Sequence, residues 1–331
     1  MSTILDVKDL VVKFDTIDGI VNAVNGISFH LDEGETLAIV GESGSGKTVS
    51  MLSLLGLLPS PPARIEQGKA LFKQKEGYID LLKQNYHILS DIRGGEIGFI
   101  FQDPVTSLNP ILTIGQQITE TIIRHLGKSR NEARFLAFEL LEKVGIANPI
   151  VRFKQYPFQL SGGMRQRVMI AIAVACNPKI VIADEPTTAL DVTIQAQIIE
   201  LFKQLRETLH MATIWISHDL GVVATLADRV LVMYGGRIVE SAKVEDLYEK
   251  PLHPYTIGLI GAVPGINSRG SKKLISIPGS PPDLMIPINH CPFAWRCNEV
   301  EAKCWENIPT LHQIEEDHEV ACFLHESAKV Y

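Results

Sequence analysis

The stretch Gly41-Glu42-Ser43-Gly44-Ser45-Gly46-Lys47-Thr48 carries the residue types that hold a phosphate chain. It fits the pattern G-x-x-x-x-G-K-[ST] at every fixed position, with Gly41, Gly46, Lys47 and Thr48 in register. Glycines let backbone N–H groups turn toward phosphate oxygens, and a helix opening at this point adds the positive end of its dipole. Lys47 would neutralise the β- and γ-phosphates, and the Thr48 hydroxyl would ligate Mg²⁺. The alternative is a glycine-rich turn that fits by chance.

A second group of chemistry-bearing residues lies at the ends of apolar runs. Asp184 and Glu185 follow Lys179-Ile180-Val181-Ile182-Ala183. Carboxylates at the C-terminal end of a buried parallel strand stand where α/β sheets bind ligands. Asp184 is placed to hold Mg²⁺, directly or through water, and Glu185 to orient or deprotonate an attacking water. Gln102 follows the run 96–101 and could offer its carbonyl to a metal or a water, although a surface glutamine has the same spacing. His218 ends Ala212-Thr213-Ile214-Trp215-Ile216-Ser217. Ser161 can cap a helix and leave the Gly162 and Gly163 amides at its N-terminus, a second anion site or a glycine-tolerant helix start. Phe14 could stack on a base or sit in a core.

These residues need a scaffold, and the sequence pattern supplies one. Thr36-Leu37-Ala38-Ile39-Val40 reads as a buried strand, and the residues from Lys47 to about Leu58 as a helix, closed by Pro59-Ser60-Pro61-Pro62. Leu10–Phe14 and Ile27–Leu31 are β-like, whereas 64–95 mixes short β runs with polar turns. From 114 to 145 the apolar spacing turns helical, with Gly145 as an end signal. A helix from Ser161 through Cys176, a strand over 179–183, a helix ending near Leu209, a strand over 212–217 and a hairpin around Tyr234-Gly235-Gly236 complete the α/β pattern.

Composition sets bounds on function. The chain has 331 residues, 46% hydrophobic and 21% charged, the balance of a globular protein with about two domains. A net charge of −7 does not invite nucleic acid. No cationic leader with an apolar core follows Met1, and the longest apolar runs are far shorter than the roughly 18 residues of a membrane span. Five cysteines without such a leader point to a reducing compartment. Four of them, Cys291, Cys297, Cys304 and Cys322, cluster near the C-terminus with gaps wider than the paired spacing of structural zinc. Four thiolates are the ligand set of a [4Fe–4S] cluster; zinc and plain reduced thiols are the alternatives.

Taken together, the motifs resemble the nucleotide-binding subunit of an ABC transporter, over almost the whole chain. Gly41–Thr48 matches the first phosphate motif, Gln102 the Q-loop, and Leu160-Ser161-Gly162-Gly163-Met164 the signature. Asp184 and Glu185 match the second phosphate motif with its catalytic glutamate, Ala189-Leu190-Asp191 the D-loop, and His218 the switch histidine. Phe14 falls at the adenine-stacking position. The resemblance implies a P-loop NTPase fold of the ABC type: a RecA-like core, an antiparallel β subdomain and an α-helical subdomain over about 103–175. This domain would occupy 1–250, with a small C-terminal extension over 251–331.

The resemblance also implies a head-to-tail dimer with two ATP molecules buried between subunits. Lys47, Asp184 and Glu185 would form one face of each site, with His218 contacting the γ-phosphate, and Ser161-Gly162-Gly163 of the partner would form the other. Gln102, Thr48 and Asp184 are the expected Mg²⁺ ligands. Pro251-Leu252-His253-Pro254-Tyr255-Thr256, the loop 277–282, Asp103–Pro110 and Tyr156–Leu160 are similar to the oligopeptide, dipeptide and nickel importer ATPases, with Phe158 where that subfamily usually has His. The four-cysteine extension is similar to that of cluster-bearing dipeptide-importer ATPases. The expected protein is therefore a peripheral ATPase on the cytoplasmic face of the membrane. Its partners would be a second ATPase, identical or homologous, two permease subunits and, indirectly, a solute-binding protein. Import of nickel or another small solute, and a soluble ATPase acting on ribosomes or DNA, are the rival readings.

Overall fold

The computed structural model describes residues 2–188, 190–263 and 277–326. Two compact units emerge, one from Asp32–Glu35 and Gln84–Trp215, the other from Ser2–Leu31, Thr36–Lys83 and Ile216–Tyr331.

The second unit begins with two long strands, β1 (Thr3–Thr16) and β2 (Gly19–Asp32). β3 (Thr36–Val40) is buried at all five positions, as expected of an apolar strand covered on both faces. Then comes α1 (Lys47–Leu54). The helix stops four residues short of the Leu58 expected from sequence. Gly56, at φ 57°, turns the chain left-handed there, and its N–H and that of Leu57 donate back to Ser53 and Leu52. β4 (Ala63–Gln74) and β5 (Gly77–Asp80) complete an antiparallel sheet of order β2-β1-β4-β5.

In the first unit, α2 (Tyr86–Ile92) occupies part of the stretch expected to hold only short β runs and turns. Asn85 caps it by accepting from the Ile88 N–H, but only Leu89 and Ile92 are buried, too few anchors to show a helical period. β6 (Ile97–Ile100) follows, then α3 (Pro104–Ser107), α4 (Ile114–Leu126) and α5 (Arg130–Lys143). The last two open with capping boxes, Thr113 with Gln116 and Ser129 with Glu132, each pair satisfying two otherwise unpaired amides. After α6 (Pro149–Arg152) and α7 (Gly162–Val174) come β7 (Ile180–Asp184), α8 (Val192–Leu209) and β8 (Ala212–Ser217). The strands run in the order β8-β7-β6, with β6 and β7 parallel. Phe202 of α8 meets Trp215 of β8 edge-on, centroids 4.9 Å apart.

The chain returns to the second unit with α9 (Leu220–Leu226), β9 (Arg229–Tyr234) and β10 (Arg237–Lys243). The hairpin between β9 and β10 turns on Gly235 and Gly236, both left-handed at φ 56° and 76°. Two consecutive positive φ values define the tight turn whose twist matches its strands. β3 pairs in parallel with β9. The C-terminal segment adds α10 (Val244–Glu249), α11 (Pro254–Gly261), α12 (Ala302–Glu306), β11 (His312–Glu315) and β12 (His318–Val320), the strand run being β11-β12-β10-β9-β3.

This segment is anchored by one buried carboxylate. Glu240 accepts from the Leu252 and His253 N–H groups at 2.7 and 2.9 Å and pairs with His318 Nε2 at 2.8 Å. Burial pushes the Glu240 carboxyl up, but these hydrogen bonds outweigh burial and leave it below the ordinary carboxylate value.

Candidate functional site

In the second unit, β3 runs into the glycine loop and the loop into α1. Gly46 caps the helix at φ 98° and offers no side chain, so no side-chain cap covers the first-turn amides of α1. A Cβ on Gly46 would stand 2.5 Å from the Ala23 carbonyl oxygen, and one on Gly41 2.2 Å from that of Met233. Only glycine fits either place. Lys47 is buried, and its Nζ donates to the carbonyls of Gly41 and Glu42 at 2.8 and 2.9 Å and to Ser45 Oγ at 3.4 Å. Its ammonium thus lies folded over the loop it belongs to. Thr48 is half-buried in the first turn of α1, while Ser43 and Gly44 are exposed at the tip. The loop sets a lysine cation and a helix N-terminus without a side-chain cap on one short segment, a combination suited to an anion.

The same unit holds Phe14 and His218. Phe14 is half-buried on β1, opposite Ala63 of β4. His218 is exposed directly after β8. Its turn is held on both sides: Ser217 Oγ accepts from the Asp219 N–H, and the Asp219 carboxylate caps α9 through the Gly221 and Val222 amides.

In the first unit, the end of β7 and the loop after β6 meet. Gln102 Nε2 donates to Glu185 Oε2 at 3.0 Å, and the Thr188 hydroxyl donates to the same oxygen at 3.0 Å. Glu185 itself has φ 45°, a left-handed conformation that non-glycine residues rarely adopt. Such strain persists where surrounding contacts over-determine it, and here two donors do so. Asp184, the residue before, is 3% exposed. A buried carboxylate at a strand end is hard-oxygen ligand chemistry of the kind that suits Mg²⁺.

Ser161 caps α7 by accepting from the Met164 N–H. Gly162 is exposed, with nothing within 4 Å of a would-be Cβ, whereas Gly163 packs toward Ile194 of α8. Asp191 caps α8, accepting from the Ile194 N–H at 3.0 Å. Ala189, named with Leu190 and Asp191 from sequence, lies outside the described residues.

Among the described residues, no group of three or more His, Cys, Asp or Glu side chains is arranged to hold a metal ion. Burial pushes the Cys291 thiol up to about 12 and that of Cys322 up to about 11, and raises Cys297 as well. The negative charge that Cys297, Cys304 and Cys322 would carry as thiolates pushes Cys291 further in the same direction, so the four thiols lie in one another's field. Burial thus favours the neutral form of Cys291 and Cys322.

Three contacts carry no sequence signal. Thr188 reaches Glu185 from a loop position that any polar residue could occupy. The Glu42 N–H donates to the Tyr255 hydroxyl at 2.8 Å, and the Glu42 carboxylate is gripped by Arg296, 254 residues away.

Family models match the chain as "ABC transporter" over residues 24–188 and as "Oligopeptide/dipeptide transporter, C-terminal region" over residues 239–304. The chain is 49% identical to the oligopeptide transport ATP-binding protein OppD of Bacillus subtilis, over 98% of this chain and 89% of that protein. The dipeptide transport ATP-binding protein DppD of the same organism is also 49% identical, over 98% and 95%. The oligopeptide transport ATP-binding protein AmiE of Streptococcus pneumoniae is 48% identical, over 99% and 91%. Among solved structures, an ATP-binding cassette in a dimeric post-hydrolysis state with ADP and Pi aligns with a TM-score of 0.64 and 28% identity, covering 72% of this chain and 98% of its own. With these matches over its two regions, and with its phosphate loop and restrained Glu185, the chain belongs to the ABC transporter ATPases of the oligopeptide/dipeptide importer type.

Proposed function

We propose that this chain hydrolyses ATP to drive uptake of di- or oligopeptides from the cytoplasmic face of the membrane. The observation that carries the reading is the Glu185 carboxylate, held at the end of β7 by Gln102 and Thr188. A carboxylate so restrained is suited to orient and polarise the water that attacks the γ-phosphate. Lys47 would leave the Gly41 and Glu42 carbonyls for the β- and γ-phosphates, and His218 would contact the γ-phosphate. Phe14 would stack on adenine. Asp184, Thr48 and Gln102 would hold Mg²⁺, which supplies charge neutralisation when bound.

Residues 1–250 are assigned to the nucleotide-binding domain, with its helical part about 103–175, and 251–331 to the extension. The matches over 24–188 and 239–304 support this division. Exposed Gly162 and Ser161, the cap of α7, with Gly163 beside them, would close on the nucleotide of a second ATPase, identical or homologous, and Asp191 would border that seam. A cavity of about 300 Å³ lined by Phe99, Phe101, Leu108 and Met169 and by Asn109, Gln117 and Glu120 is a candidate place for a permease subunit to dock. No helix among the described residues is long and apolar enough to cross a membrane, so the span would come from those partners. A solute-binding protein outside the membrane would select the cargo. The names of the relatives support peptides over nickel.

We further propose that Cys291, Cys297, Cys304 and Cys322 would hold a [4Fe–4S] cluster. Zn–S bonds are about 2.3 Å, so one zinc needs all four sulfurs crowded around a point, whereas a cluster spreads its ligands over four irons. Four cysteines on one C-terminal segment, with the Cys291 N–H donating to the Cys304 carbonyl at 2.9 Å, support this reading. Iron and acid-labile sulfide assayed on anaerobically purified protein should be near four per chain; an iron-free, folded protein overturns this part.

The whole reading is tested by assembling the chain with its permease subunits and solute-binding protein in lipid vesicles. ATP hydrolysis should rise when a di- or tetrapeptide is present, and labelled peptide should accumulate. Stimulation by nickel alone, or hydrolysis indifferent to every peptide, would replace the proposed cargo.

A further inference from the structure

Glu42 is the second residue of the phosphate loop and carries a negative charge where phosphates are to bind. Its carboxylate is taken up by a bidentate pair, Arg296 Nη1 to Glu42 Oε2 at 2.6 Å and Nη2 to Oε1 at 2.9 Å. Arg296 is buried, its side chain 5% exposed, and the fork is oriented on every side. Nε donates to the Pro278 carbonyl at 2.7 Å, Nη1 also reaches the Tyr234 hydroxyl at 3.2 Å, and the guanidinium lies 5.7 Å from the Tyr234 ring centroid and 6.0 Å from that of Phe293. The Glu42 carboxylate holds the guanidinium above its ordinary pKa despite burial. The Glu42 backbone is held as well, its N–H on the hydroxyl of buried Tyr255. Tyr234, Tyr255 and Phe293 pack on one another, centroids 4.5 to 5.5 Å apart.

We infer that Arg296 is a positioning residue for the phosphate loop, through which the C-terminal segment sets nucleotide affinity. The inference rests on the loop's binding ATP and adds a control on it. Arg296 neutralises the one acidic side chain of Gly41–Thr48, so the incoming phosphates do not meet an uncompensated carboxylate. The backbone carbonyl of the same Glu42 is one of the two that hold Lys47. Arg296 is presented by a short turn, Ala294–Arg296, whose amides bond back to Cys291 and Phe293. The segment between Cys291 and Cys297 therefore reports to the loop directly. Coupling of two binding or ordering events is reciprocal, so nucleotide on the loop should in turn quiet the 291–297 turn.

The test uses the full chain and a fluorescent ATP analogue carrying a methylanthraniloyl ribose, with Mg²⁺. Arg296→Ala should raise its Kd about tenfold, the equivalent of about 1.4 kcal/mol. Adding Glu42→Gln to Arg296→Ala should return the Kd to within about threefold of the original chain, because the loss comes from an exposed charge. Hydrogen–deuterium exchange at residues 293–297 should slow with nucleotide in the original chain and lose that response in Glu42→Gln. This last variant alters only a loop side chain and keeps the test open if Arg296→Ala does not fold. A Kd within twofold for Arg296→Ala, equal weakening in the single and double variants, or an unchanged exchange response in Glu42→Gln overturns the inference. If the original chain does not bind the analogue at all, the ATP reading fails instead.

Discussion

Replacing Glu185 by Gln isolates the chemistry from the scaffold. The Glu185 Oε2 atom accepts two hydrogen bonds, from Gln102 Nε2 and Thr188 Oγ1, each 3.0 Å. A glutamine keeps one carbonyl oxygen of the same size in the same place, so both donors retain an acceptor, and what is lost is the charge that strengthens those bonds. Charge-assisted bonds contribute about 1.5–3 kcal/mol against about 1 for neutral ones. With Glu185 only partly buried, the net cost to stability should stay near 1 kcal/mol. The catalytic cost is of a different order. A positioned general base contributes roughly 10²–10⁴ in rate, about 3–5 kcal/mol of barrier. Glu185→Gln should therefore bind ATP as the original chain does, unfold within a few degrees of it, and lose at least a hundredfold in phosphate release. A colorimetric phosphate assay on the assembled complex, with nucleotide binding measured in parallel, reads both. Hydrolysis within threefold of normal, with binding intact, removes Glu185 from its role and leaves its positive φ without a catalytic reason.

Gly46→Ala places a methyl group 2.5 Å from the Ala23 carbonyl at φ 98°, so strain of about 1–3 kcal/mol plus the clash should shift the denaturation midpoint down and abolish nucleotide binding. His253 is 2% exposed and its Nδ1 accepts from the Tyr255 N–H, and burial lowers its pKa to about 4. The unfolded chain then takes the proton first, so the stability owed to neutral His253 is complete above about pH 6.5 and falls toward pH 4, by on the order of 3 kcal/mol. Glu240, held below its ordinary value, loses its contribution in the same direction as acid protonates it. Urea titrations from pH 7.5 to 4.5 should show this slope, and His253→Gln should flatten it; a slope unchanged in that variant refutes the assignment. Glu240→Ala should cost about 3–5 kcal/mol at neutral pH by orphaning His318 and two amides, read by thermal unfolding.

Sequence alone determined the features that live on contiguous segments. The phosphate loop is a strand, a glycine turn and a helix start within about twenty residues, and β7 with Asp184 and Glu185 is a short apolar run ending in acids. Local periodicity and residue type specify such units because every contact that defines them is close in the chain. Ser161 as the cap of α7 was legible for the same reason. Helix α2 was not, since two buried anchors in seven residues set no period.

Only the tertiary structure decided who holds the reacting groups. Gln102 meets Glu185 across 83 residues, and Arg296 meets Glu42 across 254, separations over which no spacing rule operates. Those contacts come from the parallel pairing of β6 with β7 in one unit and from the packing of Tyr234, Tyr255 and Phe293 in the other. A bidentate pair needs two planar groups set edge to edge, and only three-dimensional packing supplies that alignment.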